Sequence, residues 1–253
     1  MEISEIGVHN DLTIADFLQP ISDELPAGAS LKETPVYAEI QAARLADDPN
    51  TPRGVWEHDL KKSDWNQVSE LAESILLNKS KDIQVAIWFL EAQVHLYGIE
   101  RMPVCLLLLA ELSEQFWEHI HPLMEDGDVE YRTNLFAWMN DKLSLAIRQM
   151  AIAESVSGET FTWLDWERGH LESSNSAKAL DTTIAAIKQA IDQTNIDFYR
   201  NLWQDLADAI ISLNYLTEVL ANRLGQDAPS FAQLADLLNA VSESIVEVTG
   251  GRS

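Results

Sequence analysis

The run RGVWEHDLKKSDW at 53–65 holds the residue types in this sequence best suited to chemistry. Its HDLK core matches the residue types of a protein-kinase catalytic loop, in which an aspartate accepts the proton of a substrate hydroxyl. That chemistry also needs a glycine-rich loop, a strand lysine and a DFG metal site, and the sequence has none of them. A second candidate is EHIHP, with Glu118, His119 and His121. A metal centre needs three or four converging ligands. His119 and His121 are two positions apart, so on one helix they diverge by about 200°. A dipole or capping role near a helix end suits them better. His58, His95 and His170 have no ligand partner at useful spacing. HExxH, GxSxG, GxxxxGK[ST] and GxGxxG are all missing. Paired carboxylates such as Asp47–Asp48 and Glu125–Asp126 carry no information in a chain with 41 acids. The expectation is a protein without catalytic residues, metal site or cofactor. What remains of 53–65 is a structural or interaction motif: Trp56, Glu57, Leu60, Lys61, Asp64 and Trp65. Asp64 suits the N-cap of a helix that starts at Trp65. Trp56, among turn formers and charges, either staples the loop to the body or anchors an interface.

Charge narrows the range of partners. Lys and Arg total 17 against 41 Asp and Glu, a formal net charge of −24. Such a surface repels phosphate backbones and anionic headgroups, which argues against nucleic acid and membrane surfaces as partners. It suits a partner with a basic patch. Cys105 is the one cysteine, so no intramolecular disulfide and no cysteine-built zinc site can form. Within VCLLLLA it reads as a small buried hydrophobe, and a reducing compartment fits. The first residues, MEISEIGVHNDL, lack the basic and then apolar regions of a secretory signal. The apolar run Val104–Ala110 is far shorter than the roughly 20 residues that cross a bilayer. A soluble, cytoplasmic protein is expected.

The elements that must position these residues are helical nearly throughout. After Asp64, the residues Trp65, Val68, Leu71, Ala72, Ile75 and Leu76 share one face. Asp82 can cap the next helix, with Val85, Ala86, Trp88, Phe89 and Ala92 inward, and Gly98 stops it. Pro103 fits a first helical turn, and Pro122 ends that element. Residues 129–153 read as another helix, in which Lys142 interrupts the apolar stripe and can snorkel. Residues 154–176 break the pattern and read as a loop or hinge, held to the body by Trp163 and Trp166. Leu180, Ile184, Ile187 and Ile191 form a heptad-like seam. Long helices follow at 196–223 and from Phe231 onward. Trp88, Trp117, Trp138 and Trp203 lie on apolar faces and read as core. With no strand alternation, the fold class is all-α, a multi-helix bundle of antiparallel helices. The expected organisation is a flexible N-terminus at 1–12, a helical domain at 13–153, and the loop or hinge at 154–176. Helical hairpins at 177–249 pack on the first part, and 250–253 read as a linker or cloning scar.

From Phe17 to Leu143 the sequence resembles a known family. FLQPISDELPAGASL, PVYAEIQAARLADDP, GVWEHDLKKSDWNQV, SKDIQVAIWFLEAQVHLYG, LLAELSEQFWEHIHP and LFAWMNDKL follow one another at characteristic intervals. They resemble the N-terminal domain of the ImpA/TssA family of type VI secretion proteins. Phe89 stands where the family often has an aliphatic residue. The resemblance implies a non-enzymatic assembly role in a contractile secretion machine, with baseplate, tube or sheath proteins as partners. It also implies that 54–68 is a signature link into a helix. The C-terminal regions of such proteins vary and often drive self-association, and this chain is expected to be the N-terminal part of a longer one. A stand-alone oligomerisation or sheath-anchoring module of the same machine is the alternative.

Overall fold

The computed structural model describes residues 13–47, 60–124, 127–173 and 180–250. The chain opens with a short turn of helix, α1 (Ile14–Phe17), and then α2 (Pro35–Arg44), whose first turn takes Pro35. Helix α3 (Trp65–Asn78) begins where the Asp64 carboxylate accepts from the Gln67 amide, and α4 (Ile83–Tyr97) where Asp82 accepts from Val85. Gly98, at φ 69°, ends α4. A 3₁₀ turn leads into α5 (Met102–Phe116), which carries Pro103 in its first turn. Then come α6 (Glu130–Arg148), a hairpin of β1 (Ala151–Glu154) and β2 (Thr160–Thr162), and α7 (Trp163–Ser173). Helices α8 (Leu180–Gln193), α9 (Ile196–Leu224) and α10 (Ala232–Val248) complete the chain.

The result is a helical bundle centred on α4 and α5. Both are apolar on nearly every side, as helices enclosed by others must be. From Ile83 to Val94 every residue of α4 except Gln84 is buried. Helices α3, α5 and α6 surround α4, and α9 covers the far side of α5. There the Tyr215 hydroxyl donates to Glu111 and Arg223 donates to the Glu114 carbonyl. Helix α10 rests on α9 and α6. Cys105 lies inside, and burial pushes its thiol up to about 12.

Three backbone segments far apart in sequence meet at the start of α4. Gly28 pairs with Ser80, the Lys81 amide donates to Ala27, and the His121 amide donates to Lys81. Ile83 donates in turn to the His121 carbonyl. Gly28 sits at φ 69°, and a Cβ there would meet the Lys79 carbonyl oxygen at 2.1 Å, so only glycine fits. Lys81 is fully buried, and its ammonium donates to the Phe17 and Leu76 carbonyls at 2.6 Å each. Burial lowers its pKa to about 8. Arg132, 1% exposed, spreads its guanidinium over the carbonyls of Trp117, Ile120 and Pro122 at 2.6–2.9 Å and stacks on the Trp117 ring. It thereby satisfies acceptors left open where the chain leaves α5.

The structure departs from the sequence reading in several places. The helix expected at 129–153 ends at Arg148, and 151–153 belong to β1. The stretch 154–176, expected as a loop or hinge, contains the rest of the hairpin and α7. Trp163 and Trp166 are buried and hold that region to the body, helped by the Tyr199 hydroxyl on the Ile152 carbonyl. The seam on α8 is used internally: α8 packs on α7 and β1, with Ile187 and Ile191 buried. Trp203, read as core, is 40% exposed, because its position on α9 turns outward beside α10. Trp138 is only half-buried. His121, instead of serving the end of its helix, is buried with Nε2 3.0 Å from the Gly28 carbonyl oxygen, while His119 is exposed.

Candidate docking groove

Residues 61–64 run along the end of α2 and are fastened there. The Lys61 amide donates to the Asp47 carboxylate, and its ammonium donates to the Ala42 carbonyl. That ammonium sits where the helix dipole of α2 favours a cation. Ser63 donates to the Arg44 carbonyl, and the Asp64 amide donates to Ala43. Lys61 and Asp64 are thus both exposed and structurally engaged, and Leu60 is half-buried at the entry. Trp56 and Glu57 lie outside the described residues, as do His58, Asp48 and the Glu125–Asp126 pair.

Trp65 is half-buried and stacks face to face on His95 of α4, with centroids 4.1 Å apart and planes 7° apart. Burial, then the nearby Arg44 charge, lowers the pKa of His95. Beside this pair Arg44 grips Glu91 through two nitrogens, at 2.6 and 2.7 Å. Burial raises the pKa of Glu91, and Arg44 opposes that rise. The same guanidinium lies 4.8 Å from the centre of the Trp138 ring and 5.4 Å from that of Trp88. The Lys142 ammonium is 5.7 Å from the Trp138 ring centre, so this lysine snorkels along an aromatic face.

Together these groups line an open groove of about 560 Å³ between α6 and the paired edges 44–46 and 63–65, with α4 as its floor. A second hollow of about 550 Å³ shares His95, Ala146 and Gln149 with it and continues to Phe198 and Leu202 on α9. Leu45, Leu145, Tyr97 and Phe198 stand on the walls at 63%, 52%, 51% and 41% exposure. Singly exposed apolar residues are ordinary; here four of them stand around two adjoining hollows. Asp64 and Trp65 were legible as cap and packing residue. Arg44, Glu91 and Trp138 were not singled out as site residues. The local signals were a glutamate inside the apolar run IQVAIWFLEAQVHLY and a lysine breaking the stripe of α6. Among the described residues, no three His, Cys, Asp or Glu side chains are grouped to hold a metal, and no helix is long and apolar enough to cross a membrane.

The model of the ImpA N-terminal family of the type VI secretion system matches residues 18–141, a span that holds α2–α5, most of α6 and the lining of the first hollow from Arg44 to Trp138, while Lys142, Leu145, Ala146 and Gln149 lie beyond it. Residues 18–141 are an ImpA N-terminal domain. Over 127 residues the chain is 31% identical to the type VI secretion component TssA1 of Pseudomonas aeruginosa. That alignment covers 49% of this chain and 36% of the relative, so the chain spans only about a third of the curated protein it matches. A solved structure reaches further. The N-terminal domain of the TssA component from Burkholderia cenocepacia, including its ImpA region, is 27% identical and superposes with a TM-score of 0.81. The match covers all of this chain and 96% of that one, so the helices beyond residue 141 are shared as well. Beyond that domain the chain is similar to TssA components of the type VI secretion system in sequence and in fold.

Proposed function

We propose that this chain is a non-enzymatic docking component that works in the cytoplasm and binds baseplate proteins, or the tube and sheath, while the contractile machine assembles. The observation that carries the reading is the open groove of aromatic rings and cations beside Trp65, built on a rigid helical core. A concave apolar surface with a few fixed charges suits protein recognition. The 31% identity to a type VI component supports the setting. The test is co-purification of the chain from cells that carry a complete type VI machine, at two salt concentrations, with mass spectrometry of what stays bound. Recovery of baseplate, tube or sheath subunits is expected, and recovery of the bait alone would overturn the reading.

Self-association is a second reading, favoured by a different surface. Trp203 on α9 and Val246 on α10 are 40% and 42% exposed and border one small hollow. Light scattering of the chain and of Trp203→Ser over a range of concentrations separates this from docking. A strict monomer in both samples removes it.

A further inference from the structure

The groove has a charge character opposite to that of the molecule. In a chain with a formal net charge of −24, Arg44 and Lys142 line it, while Lys61 and Lys62 are offset by Asp47 and Asp64 on the same edges. Among the described residues Glu91 is the acid in its lining, and that carboxylate is held by Arg44. Both lining cations lie against the Trp138 ring, so an incoming carboxylate meets cationic donors next to an apolar face. Arg44, with its side chain 15% exposed, is screened less than a surface charge. The repulsion from distant acids fades beyond a Debye length of about 8 Å at physiological salt. The walls carry exposed Leu45 and Leu145, which nothing covers among the described residues.

We infer that the groove takes an acidic segment of a partner protein, which seats an apolar side chain between Leu45 and Leu145 and sets a carboxylate between Lys142 and Arg44. This deepens the docking reading and rests on it: it names the chemistry of the partner's segment. An acidic chain that carries a locally cationic, aromatic groove can recruit a segment that the rest of its surface repels, which confers selectivity.

A library of random peptides displayed on phage, panned against the full chain, tests this, with the Lys142→Glu, Leu145→Asp double variant as counter-target. Both positions are exposed, and unchanged melting of the variant verifies its fold. The expected result is a class of clones that binds the native chain and is weakened at least about tenfold by the double variant, a loss of about 1.4 kcal/mol. These clones should carry Asp or Glu around a Trp, Phe or Leu. Groove-dependent clones that are basic or neutral, or no groove-dependent clones at all, overturn the proposal. Co-purification of the double variant separates the two ideas. If it recovers type VI components at the native level, the groove proposal fails and the docking reading stands. If the native chain recovers none, the docking reading fails, and the groove's preference is decided by the peptides.

Discussion

Replacing Trp65 by alanine tests the stack that shapes the groove. A fully buried tryptophan lost to alanine costs about 3–5 kcal/mol, but this ring is half-buried. Half of the roughly 150–250 Å² that an aromatic side chain buries, at about 25 cal/mol per Å², gives roughly 2–3 kcal/mol. The parallel contact with His95 at 4.1 Å adds about 0.5–1.5 kcal/mol. A loss of about 3 kcal/mol is therefore expected in urea unfolding, with a lower midpoint and an unchanged slope. A second signal comes from His95. Burial is the main cause of its lowered pKa, so removing the indole should raise that pKa toward the ordinary imidazole value, which an NMR titration reads. The sign for stability follows. A histidine with a lowered native pKa weakens the fold as pH falls below the ordinary value of 6.5. That acid sensitivity should shrink in Trp65→Ala. Trp65→Phe, which keeps a stacking ring, should lose about 1 kcal/mol. A loss under about 1 kcal/mol in Trp65→Ala, with His95 unmoved, would mean that the rings do not stack in solution, and the reasoning would be refuted.

Other positions give independent tests. Gly28→Ala combines a positive φ with a Cβ 2.1 Å from the Lys79 carbonyl oxygen; we expect destabilisation above about 4 kcal/mol or failure to fold, and a circular-dichroism melt like that of the native chain would count against it. Arg132→Met orphans two buried carbonyls and the part-buried one of Pro122, at about 1–3 kcal/mol for each buried group. Release of the buried guanidinium returns several kcal/mol, so a net loss of roughly 2–4 kcal/mol should appear in urea titration, and Arg132→Lys should rescue only part of it. Asp82→Asn keeps the cap on Val85 but removes a carboxyl that burial pushes up to about 6. Stability from that group is fully present below about pH 4 and is lost as pH rises through 6, so the native chain should weaken across this window relative to the variant. The bound, from the shift of 3.8 to about 6, is roughly 3 kcal/mol, and parallel pH curves for the two proteins would contradict it.

Helix ends were the most legible part of the fold, because a cap is a local event. Asp64, Asp82, Gly98 and Pro103 each act on their own turn. The burial of α4 goes further than the single inward face read from Val85, Ala86, Trp88, Phe89 and Ala92, because α3, α5 and α6 enclose it. The hairpin was not legible, since β1 and β2 are too short for an alternation to emerge, and Ala151–Ala153 extend the apolar pattern of the preceding helix. Trp203 shows the limit of an apolar stripe. Periodicity says which side of α9 is oily, but α10 decides how far round that side is covered. Lys81 and Arg132 were invisible because their partners are main-chain carbonyls, which no side-chain pattern announces. The groove was only partly legible for the same kind of reason: its walls come from α2, α3, α4 and α6, and only their assembly brings Arg44 over Trp138.

The backbone pairing of Gly28 with Ser80 and of Lys81 and Ile83 with His121 has a consequence for the order of folding. Each helix can form from its neighbours in sequence, on a microsecond scale. This pairing cannot, because it needs two long stretches of chain to close at once, and the entropy of closure must be met before any of its bonds form. A protein with the helical content of a fast folder thus carries a slow, non-local step of the kind common in sheets. Until that step is complete, Lys81 has the Leu76 carbonyl of its own neighbourhood but not that of Phe17, and α4 lacks its anchored start. Cutting the chain after α2 should therefore leave two fragments that collapse without locking, and mixing them should restore the fold when this seam re-forms together with the Arg44–Glu91 pair and the bonds of residues 61–64 to α2.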